Sequence, residues 1–150
     1  MSNILRPVLL VEDDPNDVEL VTKALNDGNL ANPVVVARDG VEALNLLRRV
    51  GYTGLDATGP VVVLMDIKMP KLNGLELLKE IRNDRRLKHL PVVIMTSSRA
   101  APDLEEAYKL GVNAYVVKPV NFRDFVDTIK IVGKFWAVLN ELPDDLTLPE

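Results

Sequence analysis

The chain has no cysteine, a single histidine, a single tryptophan and no long apolar run. Without cysteine there are no disulfides, no thiolate metal site and no thiol nucleophile. The one histidine, His89, leaves a zinc site of the usual kind without its ligands. It lies in a basic connection, residues 85–91, and reads as a surface residue with no role. No stretch reaches membrane-spanning length, and residues 1–7 lack a signal-peptide pattern, so the cytoplasm is the expected location and no membrane contact is expected. A net charge of -4 and a pI near 5.1 supply no basic face, so direct DNA binding is not expected either. Glycine is missing from the first turn, Glu12-Asp13-Asp14-Pro15, which removes the phosphate cradle of Rossmann-type nucleotide binding. An FMN site of the flavodoxin kind lacks its Ser/Thr/Gly loop for the same reason.

What is present is the composition of one soluble globular domain: 150 residues, 47% hydrophobic and 27% charged. Short apolar runs alternate with helical periodicity. Strands are expected at 8–11, 34–37, 61–65, 92–95 and 114–117. The first helix opens at Asp14-Pro15, carries Val18, Val21 and Leu25, and stops at Gly28-Asn29. Val41, Leu44 and Leu47 mark the second helix, and Leu75, Leu78 and Ile81 the third. A fourth helix is expected at 102–110 and a long last one at 122–139. Five βα units in succession predict an α/β fold, a doubly wound parallel sheet with helices on both faces. Residues 51–60, rich in Gly and Pro, read as a long surface loop. Residues 1–142 are expected to form one domain and 143–150 a loose tail, with no output module.

The strands end in reactive groups. Val8-Leu9-Leu10-Val11 is closed by Glu12, Asp13 and Asp14, and the run at 61–65 by Asp66. The fourth run ends in Thr96 and the fifth in Lys118-Pro119. All-apolar runs read as parallel strands buried on both faces, so these tips fall along one sheet edge, where open α/β sheets place their chemistry. Asp14 before Pro15 is assigned to helix capping, where a carboxylate contributes roughly 0.3–1 kcal/mol. Glu12 and Asp13 beside Asp66 would crowd like charges unless a cation neutralises them. Mg²⁺ suits such a set, being hard, octahedral and content with one or two carboxylates plus phosphate. A carboxylate held there can act as a nucleophile toward phosphorus. The Thr96 hydroxyl and the Lys118 ammonium can stabilise phosphoryl oxygens. The plainer readings are a turn residue for Thr96, given Ser97-Ser98 beside it, and a solvated lysine for Lys118. A lysine between an apolar strand and a proline favours function. Pro119 is a candidate for a cis peptide.

The segments Val11-Glu12-Asp13-Asp14-Pro15, Met65-Asp66-Ile67-Lys68-Met69-Pro70, Thr96-Ser97-Ser98 and Tyr115-Val116-Val117-Lys118-Pro119-Val120 together resemble the CheY-like receiver domain of response regulators. The resemblance spans roughly residues 6–140. It implies a five-stranded sheet in 2-1-3-4-5 order with five helices. It implies that Asp66 accepts a phosphoryl group from a sensor histidine kinase's phosphohistidine. Asp13, Asp66 and the Lys68 carbonyl would ligate Mg²⁺ (or Mn²⁺), with Glu12 assisting through water. Thr96, Ser97 and Lys118 would form the phosphate-binding set, and Thr96 with Tyr115 the switch pair. Glu12 stands where many relatives carry aspartate. Ala107-Tyr108-Lys109-Leu110-Gly111-Val112-Asn113, the long loop and Gly133-Lys134-Phe135-Trp136 are similar to stand-alone regulators paired with phytochrome-type kinases. An aspartyl-nucleophile phosphohydrolase is the runner-up. Haloacid-dehalogenase-type enzymes want an acid two residues after the nucleophile, where this chain has Lys68. A binding-only pseudo-receiver is disfavoured because Asp13, Asp66, Thr96 and Lys118 are all present.

The last helix carries two apolar stripes. Phe122, Phe125, Ile129, Val132, Trp136 and Leu139 are suited to packing on the sheet. Ile131, Phe135, Val138 and Leu142 form a second stripe, rotated by about 100°. The second is more apolar than a solvated surface needs, which predicts a homodimer face near Tyr115 tuned by phosphorylation. A tail covering it is the plainer alternative.

Overall fold

The computed structural model describes residues 6–49 and 59–141. Strands β1 (Val8–Val11), β2 (Val34–Ala37), β3 (Val62–Met65), β4 (Val92–Thr96) and β5 (Ala114–Val117) alternate with α1 (Pro15–Asp27), α2 (Gly40–Arg48), α3 (Gly74–Asn83), α4 (Ala101–Lys109) and α5 (Phe122–Gly133). A π-helix, Lys134–Leu139, continues α5. All strand pairings are parallel, in the order β2-β1-β3-β4-β5. The expected fold class and strand order are therefore present.

The apolar runs form strands because both of their faces are covered. Leu9, Val11, Val63, Met65, Val92 and Ile94 pack with residues of α2, α3 and α4. The alternate residues Val8, Leu10, Val62, Leu64, Val93 and Met95 pack with α1 and α5. The three inner strands are buried throughout, while the edge strands β2 and β5 are mostly half-buried. Register then fixes the edge that matters. Val11 lies opposite both Ala37 and Met65, and Thr96 opposite Val117. Glu12 and Asp66 consequently leave neighbouring strands at one level, and the Lys118 N–H donates to the Thr96 carbonyl at 2.7 Å. The chain reverses its direction of travel between β1 and β3, the switch point at which such sheets open a crevice.

The loop after Asp66 is held by its neighbours. Asn73 and Glu76 form a capping box on α3, each side chain accepting the other's backbone N–H at 2.9 Å. The Gly74 N–H donates to the Ile67 carbonyl at 2.8 Å. At the far end of the sheet the half-buried Arg82 guanidinium donates to the carbonyls of Gly111, Lys88 and Leu90 and to Asn113 Oδ1, tying α3 to the starts of β4 and β5. Burial pushes its pKa below the ordinary range.

Several expectations need correction. Thr96 belongs to β4 rather than lying beyond it, because its carbonyl still pairs with β5. The buried faces of α2 and α3 are offset: Ala43, Leu46 and Leu47 are buried while Val41 is exposed, and Leu77 joins Leu78 and Ile81. The peptide before Pro119 is trans, like every described peptide bond. The last helix is not one α-helix. At Gly133 a Cβ would come within 2.5 Å of Leu25 Cδ2, so α1 and α5 are closely apposed there, and the following turn widens to i→i+5 bonds, seen in Asn140 N–H to Phe135 O at 2.7 Å. The wider turn changes which residues face inward. Trp136 and Ala137 pack on the core, whereas Leu139 is 57% exposed, and Phe122, at the opening turn, is 68% exposed. Leu142, the tail at 143–150 and most of the loop at 51–60 lie outside the described residues.

Gly74 opens α3 directly beneath the Asp66 carbonyl, and an added Cβ would sit 2.2 Å from that oxygen. Gly74→Ala must therefore displace the loop that carries Asp66. An overpacking loss of about 1–3 kcal/mol is expected, read by urea unfolding.

Candidate functional site

Three strand tips and one helix meet at a single point. The Lys118 ammonium lies 3.0 Å from Glu12 Oε1, 3.0 Å from Asp66 Oδ2 and 2.8 Å from Asp17 Oδ2. Its side chain is only 12% exposed, so these pairs are shielded from water. Glu12 is buried at the β1 tip, its second carboxylate oxygen accepting the Asp14 N–H at 3.1 Å. Asp66 is oriented from both sides: Oδ1 accepts the Ile67 N–H at 2.6 Å and the Lys68 N–H at 3.4 Å, and Oδ2 accepts from Lys118.

The electrostatics follow from three carboxylates sharing one ammonium. Burial works against the charge on Lys118, but its hydrogen bonds to Asp17 and Asp66 and the nearby Glu12 outweigh it, and its pKa rises. Lys118 is therefore firmly cationic. Glu12 is the most enclosed of the acids. Burial raises its pKa against the opposing pull of Lys118. Both directions agree with a cluster left net negative, in which the charge costs most where water is scarcest.

Of the expected site residues, the structure gathers Glu12, Asp66 and Lys118. Asp13 is exposed at the β1 tip and stands outside the lysine cluster, and Lys68 is exposed beyond Asp66. Among the described residues no group of three or more Asp, Glu, His or Cys is arranged to hold a metal ion, and the carboxylates of Glu12, Asp17 and Asp66 converge on the lysine instead. Asp13 and Asp66 each offer oxygen donors, the kind a hard divalent cation takes. Thr96 is fully buried, and its Oγ1 accepts the Ser98 N–H at 3.3 Å. Ser97 is exposed. Tyr115 is half-buried, its pKa raised by burial, and its hydroxyl donates to the Ser98 carbonyl at 3.1 Å. Ser98 Oγ donates to Asp103 Oδ2 at 2.6 Å and so pins the loop to α4.

Asp17 is the residue that strand-tip reasoning missed. It occupies the first turn of α1, three residues after the N-cap Asp14. Helical side chains lean toward their own N-terminus, so a carboxylate there reaches back over the strand tip. An acidic first turn directly after an acidic tip was the available signal.

A five-stranded parallel sheet in this order, with acids and a lysine at its C-terminal edge, defines the CheY-like receiver class. Residues 8–130 match the response regulator receiver domain, and the chain belongs to that family, the response regulators of two-component signalling. It is 33% identical to response regulator Rcp1 of Synechocystis over 95% of this chain and 96% of that protein. Rcp1 in its Mn²⁺-bound form superposes with a TM-score of 0.83, covering 92% of this chain and 99% of the other. The phosphorylated cyanobacterial phytochrome response regulator RcpA gives a TM-score of 0.85 at 35% identity, covering 93% and 99%. The bacteriophytochrome response regulator AtBRR is 53% identical, with a TM-score of 0.68 and coverage of 91% and 99%. No described helix is long and apolar enough to cross a membrane.

Removing the lysine leaves the acids facing one another. Lys118→Met should lose about 3 kcal/mol of stability, the cost of leaving buried charges unpaired. Adding Glu12→Gln should recover part of the loss. Urea unfolding at neutral pH reads both.

Proposed function

We propose that Asp66 is the phosphoacceptor and that a sensor histidine kinase supplies the phosphoryl group. The observation that carries this reading is Asp66 held at the β3 tip, one oxygen fixed by the Ile67 N–H at 2.6 Å and the other 3.0 Å from Lys118. In the transfer, an Asp66 oxygen bonds to phosphorus while the phosphorus–nitrogen bond of the kinase's phosphohistidine breaks, its electron pair returning to the imidazole. Asp66 exchanges its carboxylate charge for an acyl phosphate, and Lys118 donates to a phosphoryl oxygen. Mg²⁺, when bound, would neutralise charge on the phosphoryl oxygens. Asp13, Asp66 and the Lys68 carbonyl would hold it, with Glu12 acting through water.

The switch reading rests on Ser98. Thr96 holds its N–H and Tyr115 its carbonyl, so a Thr96 hydroxyl turning toward a phosphoryl group releases one of the two restraints. Ser97, exposed beside them, would contribute to the phosphate-binding set. Similarity to Rcp1, RcpA and AtBRR supports a phytochrome-type kinase as partner. Exposed Ile131, Phe135 and Val138 support association of two copies through the last helix.

Incubation with acetyl phosphate and Mg²⁺ should add one phosphoryl mass, lost in Asp66→Asn and on metal chelation. Steady phosphate release from many phosphoesters would favour the hydrolase alternative instead. Sedimentation should show dimers that Phe135→Glu converts to monomers, and a monomeric parent chain at high concentration, with or without phosphorylation, would reject the association.

A further inference from the structure

A lysine ammonium has three N–H donors, and here all three are directed at carboxylates. Two of the acceptors, Glu12 and Asp66, come from strand tips. The third and shortest contact is to Asp17, which comes from α1 and which the phosphoacceptor chemistry above does not use. Its side chain is partly open to solvent, so it had water as an alternative partner.

We propose that Asp17 is a positioning residue for phosphoryl transfer: it anchors the Lys118 ammonium from the α1 side while Asp66 is esterified. The role rests on the phosphoacceptor reading of Asp66. As the oxygen–phosphorus bond forms and the donor's phosphorus–nitrogen bond breaks, Asp66 gives up its negative charge. Of the three acceptors on Lys118, it alone becomes weaker. The N–H that it held turns to a phosphoryl oxygen, and the other two stay on Glu12 and Asp17. Glu12 cannot follow the ammonium, because it is buried and its second oxygen is bound to the Asp14 N–H. Without Asp17, Lys118 is restrained on one side only and its flexible stem is free to swing. Asp17 thus limits the response of the lysine to one donor turning through a small angle.

Two measurements test this. With labelled lysine and no divalent metal, heteronuclear NMR should show a slowly exchanging Lys118 ammonium in the parent chain. The signal should be lost in Asp17→Ala and kept in Asp17→Glu. With acetyl phosphate and Mg²⁺, intact mass should show phosphorylation slowed about tenfold in Asp17→Ala, less in Asp17→Asn, with rescue by Asp17→Glu. In a Lys118→Met background, Asp17→Ala should have no further effect. A merely stabilising carboxylate at a helix start would lower the melting temperature but leave the ammonium signal, the rate and this coupling unchanged. Circular dichroism checks that each variant is folded, and Asp17→Asn, which keeps the side-chain shape, stands in if Asp17→Ala is not. A persistent ammonium signal with a rate within about twofold of the parent overturns the role of Asp17 alone. Equal slowing in the Lys118→Met background also overturns it, because Asp17 would then act on something other than the ammonium. A parent chain that takes up no phosphoryl group overturns the phosphoacceptor reading itself.

Discussion

One ammonium holds the functional edge of this protein together. Lys118 sits 2.8–3.0 Å from carboxylates of Asp17, Glu12 and Asp66. These acids repel one another wherever they are brought close, and the buried Glu12 has little water to relieve it. The lysine converts that repulsion into a net attraction and makes the cluster a feature the fold can keep. It also joins the tips of β1, β3 and β5, which carry Glu12, Asp66 and Lys118, to the first turn of α1.

The accuracy of the cluster comes from apolar residues that never touch it. Val8–Val11, Val62–Met65 and Val92–Thr96 are buried along their whole length, with alternate side chains locked into the two cores on either face of the sheet. A close-packed interior resists small displacements, so strand tips emerging from it are fixed in height and spacing. The Asn73–Glu76 capping box and the close approach of Gly74 to the Asp66 carbonyl extend that rigidity into the loop.

Much of this was legible in the residues. Continuous apolar runs gave the strands because burial on both faces erases alternation, and the groups that end them mark the edge: Glu12, Asp66 and Lys118 were found this way and do meet. The order of the strands was not in the spacing. It came from resemblance, and the pairings agree with it. Asp17 was missed because its partner is set by the backward lean of a helical side chain over a turn, which no periodicity displays. Phe122 and Leu139, on the stripe suited to packing on the sheet, are exposed, because a regular stripe ignores where a helix starts and whether its turn stays at one pitch. Nor does periodicity show the close approach of Gly133 to Leu25 or the widened turn that follows it.

That widened turn separates two properties of the molecule. The six residues Lys134–Leu139 include no fully buried side chain, and Trp136 and Ala137 alone among them pack on the core, on the α1–α5 side of the sheet. With those two held inward, Phe135 and Val138 face outward. A residue gained or lost after Ala137 would re-aim Val138 by a fraction of a turn and leave the Lys118 cluster intact, since none of its contacts comes from this stretch. This end of the molecule can therefore vary without cost to the charged edge at the other.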